Sequence, residues 1–167
     1  MKKTLILILA FIITFLPACA KGTNSEEGAS TMKIQIDITS ESGKHTLTAT
    51  LADNSSATAF YELLKKGPLT VDMHDYGSFE KVGPLGTKLP RNDTQITTQA
   101  GDIILYQGNQ ITIYYDTNSW NFTRLGKVVS TLRQSSRTAS STTTITQAEL
   151  KKILGKGDVT AVFSVME

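Results

Sequence analysis

Two hydrophobic periods alternate along the chain. From Met32 onward, Ile34, Ile36 and Ile38 alternate with Lys33, Gln35 and Asp37, and Leu47, Ala49 and Leu51 alternate with Thr46, Thr48 and Thr50. A repeat of two places the apolar set on one face of a strand. Gly43, within Ser40 to Lys44, supplies a turn, so the two segments predict an antiparallel hairpin. The period then changes to that of a helix: Ala57, Phe60, Tyr61 and Leu64 form one apolar stripe. Asn54 or Ser55 caps its start, Lys65, Lys66 and Gly67 close its last turn, and Pro68 prevents continuation.

Strand spacing resumes at Leu69, Val71 and Met73. A stretch punctuated by glycine and proline follows from His74 to Arg91. It reads as a long ordered loop carrying Tyr76, Phe79 and Leu85, and such loops line sites. Ile103 to Tyr106 and Ile111 to Tyr115 predict two strands, with Gly108-Asn109 as a hairpin signal between them. The Ser/Thr tract from Ser135 to Thr144 predicts a surface loop over residues 134–146. Thr146-Gln147-Ala148-Glu149 matches a capping box for a short helix reaching Leu154. Val159, Ala161, Phe163 and Val165 alternate as a last strand. Abundant threonine adds a β bias. Two short helices beside about eight mostly antiparallel strands predict a mainly β fold, closed into a barrel that hides its edges.

The first eighteen residues obey neither period. Lys2 and Lys3 precede an apolar run from Leu5 to Leu16 that is broken only by Thr14. Twelve helical residues span about 18 Å, short of a ~30 Å bilayer core, so the run reads as an export signal. It ends at Leu16-Pro17-Ala18-Cys19, which resembles a bacterial lipobox. That resemblance implies cleavage before Cys19, a diacylglyceryl thioether on it, and acylation of the new N-terminus. The expected organisation is a signal peptide over 1–18, a flexible polar tether over 19–31 and a single domain over 32–167. The expected address is the outer face of a bacterial membrane, reached through the lipid.

Charge and rare residues narrow the chemistry. The chain has 17 Lys+Arg and 15 Asp+Glu. Lys2 and Lys3 are the only charges before Cys19, so the +2 balance belongs to the export segment. Nucleic acid is not an expected partner. One Cys excludes an internal disulfide and any multi-cysteine metal site, and two His cannot build a three-histidine zinc site. The chain has no HExxH and no GxSxG, and Gly83-x-x-Gly86 lacks the Lys and the strand-to-helix setting of a phosphate loop. No metal and no cofactor is expected, and a monomer is the expected state.

Several runs carry a family resemblance. His74-Asp75-Tyr76-Gly77, Gly83-Pro84-Leu85-Gly86, Leu89-Pro90-Arg91, Ala100-Gly101-Asp102-Ile103-Ile104-Leu105-Tyr106 and Trp120-x-x-Thr123-Arg124-Leu125-Gly126 resemble the bacterial cyclophilin-like domain family. The resemblance covers Lys33 to Val129 and continues more weakly to Met166. It implies a closed cyclophilin-like barrel, with one helix after the second strand and another before the last. It does not carry activity with it. The Phe-His-Arg, Gly-Ser-Gln-Phe-Phe and Trp-Leu-Asp-Gly-x-His segments of the prolyl isomerases are absent, and no position here matches their catalytic arginine.

Five side chains are candidate ligand contacts. His74 lies at a strand end, opposite the buried face, and histidine is a residue type suited to a general base or a ligand anchor. Arg91 and Arg124 offer bidentate forks for a carboxylate or phosphate. Tyr114 and Trp120 could form an aromatic wall. His45 shares the inward phase of Leu47, and Asp72, Asp75 and Glu80 show no paired-carboxylate spacing. The resulting expectation is a lipid-anchored binding module for a peptide or small molecule, without catalysis. A peptidyl-prolyl isomerase with a non-standard site is the alternative.

Overall fold

The structure, a computed structural model, describes residues 31–134 and 140–166. The export segment and Cys19 lie outside these residues, as does the tether up to residue 30. The elements run β1 (Lys33–Ser40), β2 (Gly43–Leu51), α1 (Ser55–Lys65), β3 (Leu69–Tyr76), β4 (Glu80–Pro84), β5 (Thr94–Thr97), β6 (Asp102–Tyr106), β7 (Gln110–Tyr114), β8 (Ser119–Gln134), β9 (Ser140–Thr144), α2 (Gln147–Leu154) and β10 (Val159–Val165). The hydrogen-bonded order is β2-β1-β10-β3-β4-β7-β6-β8, and β8 pairs again with β2, so eight strands close into an antiparallel barrel.

The alternating residues fill it. Ile34, Ile36 and Ile38 of β1, Leu47 of β2, Met73 of β3, Ile111 and Ile113 of β7 and Phe163 of β10 are all essentially buried. Helix α1 starts at Asn54, whose side chain accepts from Ala57 N, and packs Ala57, Phe60 and Leu64 against the core. Phe60 meets Phe163 edge-on, with centroids 5.8 Å apart. Helix α2 carries the capping box: Thr146 N donates to Glu149 Oε2, and Glu149 N donates to Thr146 Oγ1. It buries Leu150, Ile153 and Leu154. Among the described residues no helix is long and apolar enough to cross a membrane.

Strand β8 shapes the rest. Its 16 residues extend about 50 Å at ~3.3 Å each, more than one barrel wall needs. Its first residues pair with β5, its middle with β6 and β2, and its last with β9. Register shifts between Ile103 and Ile104 and between Thr48 and Ala49 leave Leu125 and Val129 as extra residues, the bulges that bend a long strand around a barrel.

Two expectations change. The stretch from His74 to Arg91 is not one long loop: β3 continues to Tyr76, a tight turn through Gly77 and Ser78 reverses the chain, and β4 begins at Glu80. Both turn residues have positive φ, 59° and 57°, which suits the right-handed twist of a hairpin. The Ser/Thr tract is in part a strand, because Ser140–Thr144 pairs with Ser130–Gln134. Residues 135–139 of that tract lie outside the described residues.

Candidate functional site

The outer face of the barrel carries a second apolar cluster. Ile104, Tyr114 and Phe122 are buried together, with Phe79, Ile96 and Tyr106 packed against them. Strands β6 and β7 are therefore covered on both faces, inside by the core and outside by the start of β8 with β5. This accounts for the unbroken runs Ile103-Ile104-Leu105 and Ile113-Tyr114-Tyr115, where alternation would demand a polar residue.

At the edge of this cluster lies a cavity of about 330 Å³. Antiparallel register builds it: His74 lies opposite Val82, Tyr76 opposite Glu80, and Glu80 opposite Tyr114. These side chains leave the same face of β3, β4 and β7. Asn118, Trp120 and Phe122 close the cavity from β8 and the loop before it, and Tyr106 and Gln110 close it from the β6–β7 hairpin. The rings form a continuous chain. Tyr76 meets Phe79 edge-on at 5.9 Å, Phe79 stacks on Tyr114 at 5.9 Å, and Phe122 lies 5.8 Å from Tyr114 and 6.4 Å from Tyr106. Tyr76 and Trp120 are 59% and 61% exposed, the two most exposed large apolar residues among those described. Both line this one cavity.

Glu80 lies beneath the rings, only 8% exposed. Burial pushes its carboxyl above the usual range; the Tyr114 and Thr112 hydroxyls and any charge on His74 act in the opposite direction. The Tyr114 hydroxyl lies close enough to the carboxyl and to the Asn118 side chain to be influenced by both, and burial with the Glu80 charge pushes this phenol far above its ordinary value. Thr112 is close enough to influence Glu80 without being aligned for a hydrogen bond. Glu80 Oε2 and Thr112 Oγ1 are thus buried with no partner. Among the described residues no group of three or more His, Cys, Asp and Glu could hold a metal ion.

Of the five candidate contacts, the fold brings His74, Tyr114 and Trp120 together. Arg91 and Arg124 do not line the cavity. Arg91 pairs with Asp93, which also accepts from the Thr123 hydroxyl. Arg124 reaches the buried Asp102 at 3.0 Å. Both guanidiniums serve to fasten loops and β8. Sequence reasoning gave no role to Tyr106 and Asn118, placed Tyr76 only within a loop of the kind that lines sites, and passed over Glu80 as one of three unpaired acids. The detectable signal was phase: 74 and 76, then 80 and 82, are alternate positions on the outward face of one hairpin.

Known proteins bear on the fold. The model of the cyclophilin-like family matches residues 40–161. A hypothetical protein from Archaeoglobus fulgidus, solved in solution, has a similar fold, with a TM-score of 0.51 at 12% identity, covering 83% of this chain and 99% of that one. A search of curated proteins finds no match.

Proposed function

This chain belongs to the cyclophilin-like family, and from that premise we propose that it is a lipid-anchored binding module of the bacterial cell envelope, without catalysis, whose outward pocket holds a peptide segment or a small molecule. One observation carries this reading: Tyr76 and Trp120, both more than half exposed, stand on either side of a single concave site continuous with buried rings. Leaving large aromatic surface in water is unfavourable for a barrel that already hides its other rings, and it favours an occupant with apolar surface. Among the described residues no arginine lines the pocket, which supports binding over the prolyl isomerase chemistry of related barrels.

The anchor rests on Cys19, at the end of the export signal. Several acyl chains, each CH₂ worth ~0.8 kcal/mol on burial, hold a protein to a membrane without a spanning helix. Replacing Cys19 by Ala should move the protein out of the membrane fraction, and continued anchoring would refute lipidation. The pocket is tested by titrating the full chain, in a neutral detergent, with short peptides of varied sequence. Amide shifts should centre on His74, Tyr76 and Trp120; a response centred elsewhere removes the pocket from consideration. A proline-peptide isomerisation assay should run at the rate of buffer alone. Acceleration that is lost in His74→Ala would replace the binding reading with an enzymatic one.

A further inference from the structure

Among the described residues the pocket's lining sets one carboxyl, that of Glu80, beside His74, whose charge when protonated acts on that carboxyl. It holds no permanent cation, neither a lysine nor an arginine, among those residues. The next residue, Lys81, points to the opposite face of the sheet and is fully engaged there with Asp75 and the carbonyl of Gly157. Glu80 is therefore a buried acid with no fixed counter-charge, and its Oε2 has no hydrogen-bond partner. A carboxylate out of water is costly unless another charge offsets it. Around it stand the rings of Tyr76, Tyr106, Tyr114 and Trp120, whose faces carry the negative end of the aromatic quadrupole.

Resting on the reading of this pocket as a binding site, we propose that its occupant is an organic cation, a protonated alkylammonium group held against the faces of Tyr76, Tyr106 and Trp120 above the buried Glu80 carboxylate. An anion would meet a carboxylate and electron-rich rings. A neutral occupant would leave the acid without a permanent counter-charge. A cation gains from the ring faces and from the acid's field, which acts strongly where water is excluded. Oε2 is itself covered, so the ammonium is held across the rings by that field and not by a solvent-exposed ion pair. The cavity, about 330 Å³, suits one side chain or a small amine and not a folded element. A free amine and a lysine side chain of a peptide present the same group, and the test distinguishes them.

Trp120 is the only tryptophan in the chain, so its fluorescence reports on this pocket alone. The full chain in a neutral detergent is titrated with phenethylammonium, phenethyl alcohol and phenylacetate, and with a lysine-containing tripeptide blocked at both ends. Phenethylammonium should act at concentrations about tenfold or more below those of the alcohol, with phenylacetate weakest. Glu80→Gln should bring the ammonium down to the level of the alcohol. If that variant does not fold, the ranking of the three probes on the natural chain decides the matter. A response to the tripeptide but not to the free amine assigns the cation to a peptide; the reverse assigns it to a small molecule. Equal potency of alcohol and ammonium, or preference for phenylacetate, overturns the cation while leaving the pocket a binding site. Silence from all four probes also overturns it, and the peptide titration described above then judges the pocket separately.

Discussion

Lys81 and Asp75 meet inside the end of the barrel, where the lysine ammonium, with no exposed surface, donates to Asp75 Oδ1 at 2.7 Å. The same ammonium donates to Gly157 O at 2.7 Å and lies 5.6 Å from the centroid of the Tyr115 ring, whose hydroxyl also donates to Asp75. A lysine among isoleucines is tolerated because each part of its charge is answered. Removing the acid should therefore cost more than removing the base. Asp75→Asn strands a buried ammonium and should lose about 2–4 kcal/mol, toward the lower end because Asp75 is about one-third exposed. Lys81→Met removes the charge that needed compensation and should lose less. Urea denaturation of both variants checks the order.

The same pair sets an acid dependence. Burial works to raise the Asp75 carboxyl, but hydrogen bonds from Lys81 and Tyr115 outweigh it and hold the group below its ordinary 3.8. A depressed carboxyl contributes stability above its ordinary pKa, and that contribution is lost as pH falls through the folded value. The stability gap between the natural chain and Asp75→Asn should be constant from pH 7 down to about 5 and shrink below about 4. A gap that persists unchanged at pH 2 would show that the ion pair is not its source.

Glu80 has the opposite sign. Burial raises its folded pKa above the ordinary 4.5, so the folded state holds this proton more tightly than the unfolded chain does. The associated stability is complete below 4.5 and is lost as pH rises through the folded value. Glu80→Gln keeps the shape and removes the ionisation. It should match the natural chain near pH 4 and exceed it in stability at pH 8, as read by urea midpoints. A variant weaker at pH 8 would mean that the carboxylate is compensated by a group within the fold.

Much of the architecture was legible because burial on one face writes itself into alternation. Ile34, Ile36 and Ile38 needed no structure to be placed, nor did the stripe of α1 or the Thr146–Glu149 cap. Where both faces are covered the signal disappears: Tyr114, offered by the sequence as part of an aromatic wall, is buried in a second cluster on the outer wall. The β3–β4 hairpin was hidden for another reason. Two short strands flanking Gly77-Ser78 resemble a loop unless the outward phase of 74, 76, 80 and 82 is followed across the turn. Arg91 and Arg124 looked like ligand forks because their partners, Asp93 and Asp102, are brought to them by loop closure and cross-strand pairing that composition does not reveal.

Gly126 supports the crossing of β8 over β2. A Cβ there would lie 2.5 Å from the Thr50 carbonyl oxygen and 2.9 Å from Leu51 Cα, both backbone atoms that cannot swing aside. Gly126→Ala should destabilise the barrel by about 1–3 kcal/mol through overpacking. Gly86→Ala is the comparison: nothing lies within 4 Å of its Cβ, and its cost comes only from a φ of +73°. If Gly126→Ala denatures with the natural midpoint, the two strands do not approach this closely in solution.

Trp120 and Phe122 leave the same face of β8 two residues apart, yet they differ in what they contribute. Phe122 is 4% exposed, locked between Tyr106 and Tyr114, and Trp120 is 61% exposed at the rim of the pocket. Phe122→Ala should cost about 3 kcal/mol or more, the range for truncating a buried ring. Trp120→Ala should stay within about 0.5 kcal/mol of the natural chain, as exposed substitutions do. The binding readout should invert this order. With its fluorophore gone, Trp120→Ala is followed by amide shifts at Tyr76 and His74 during titration with phenethylammonium, and these should fall at least severalfold at equal ligand. A Trp120→Ala variant that unfolds as readily as Phe122→Ala would make the exposed ring a structural element and leave the pocket without its outer wall.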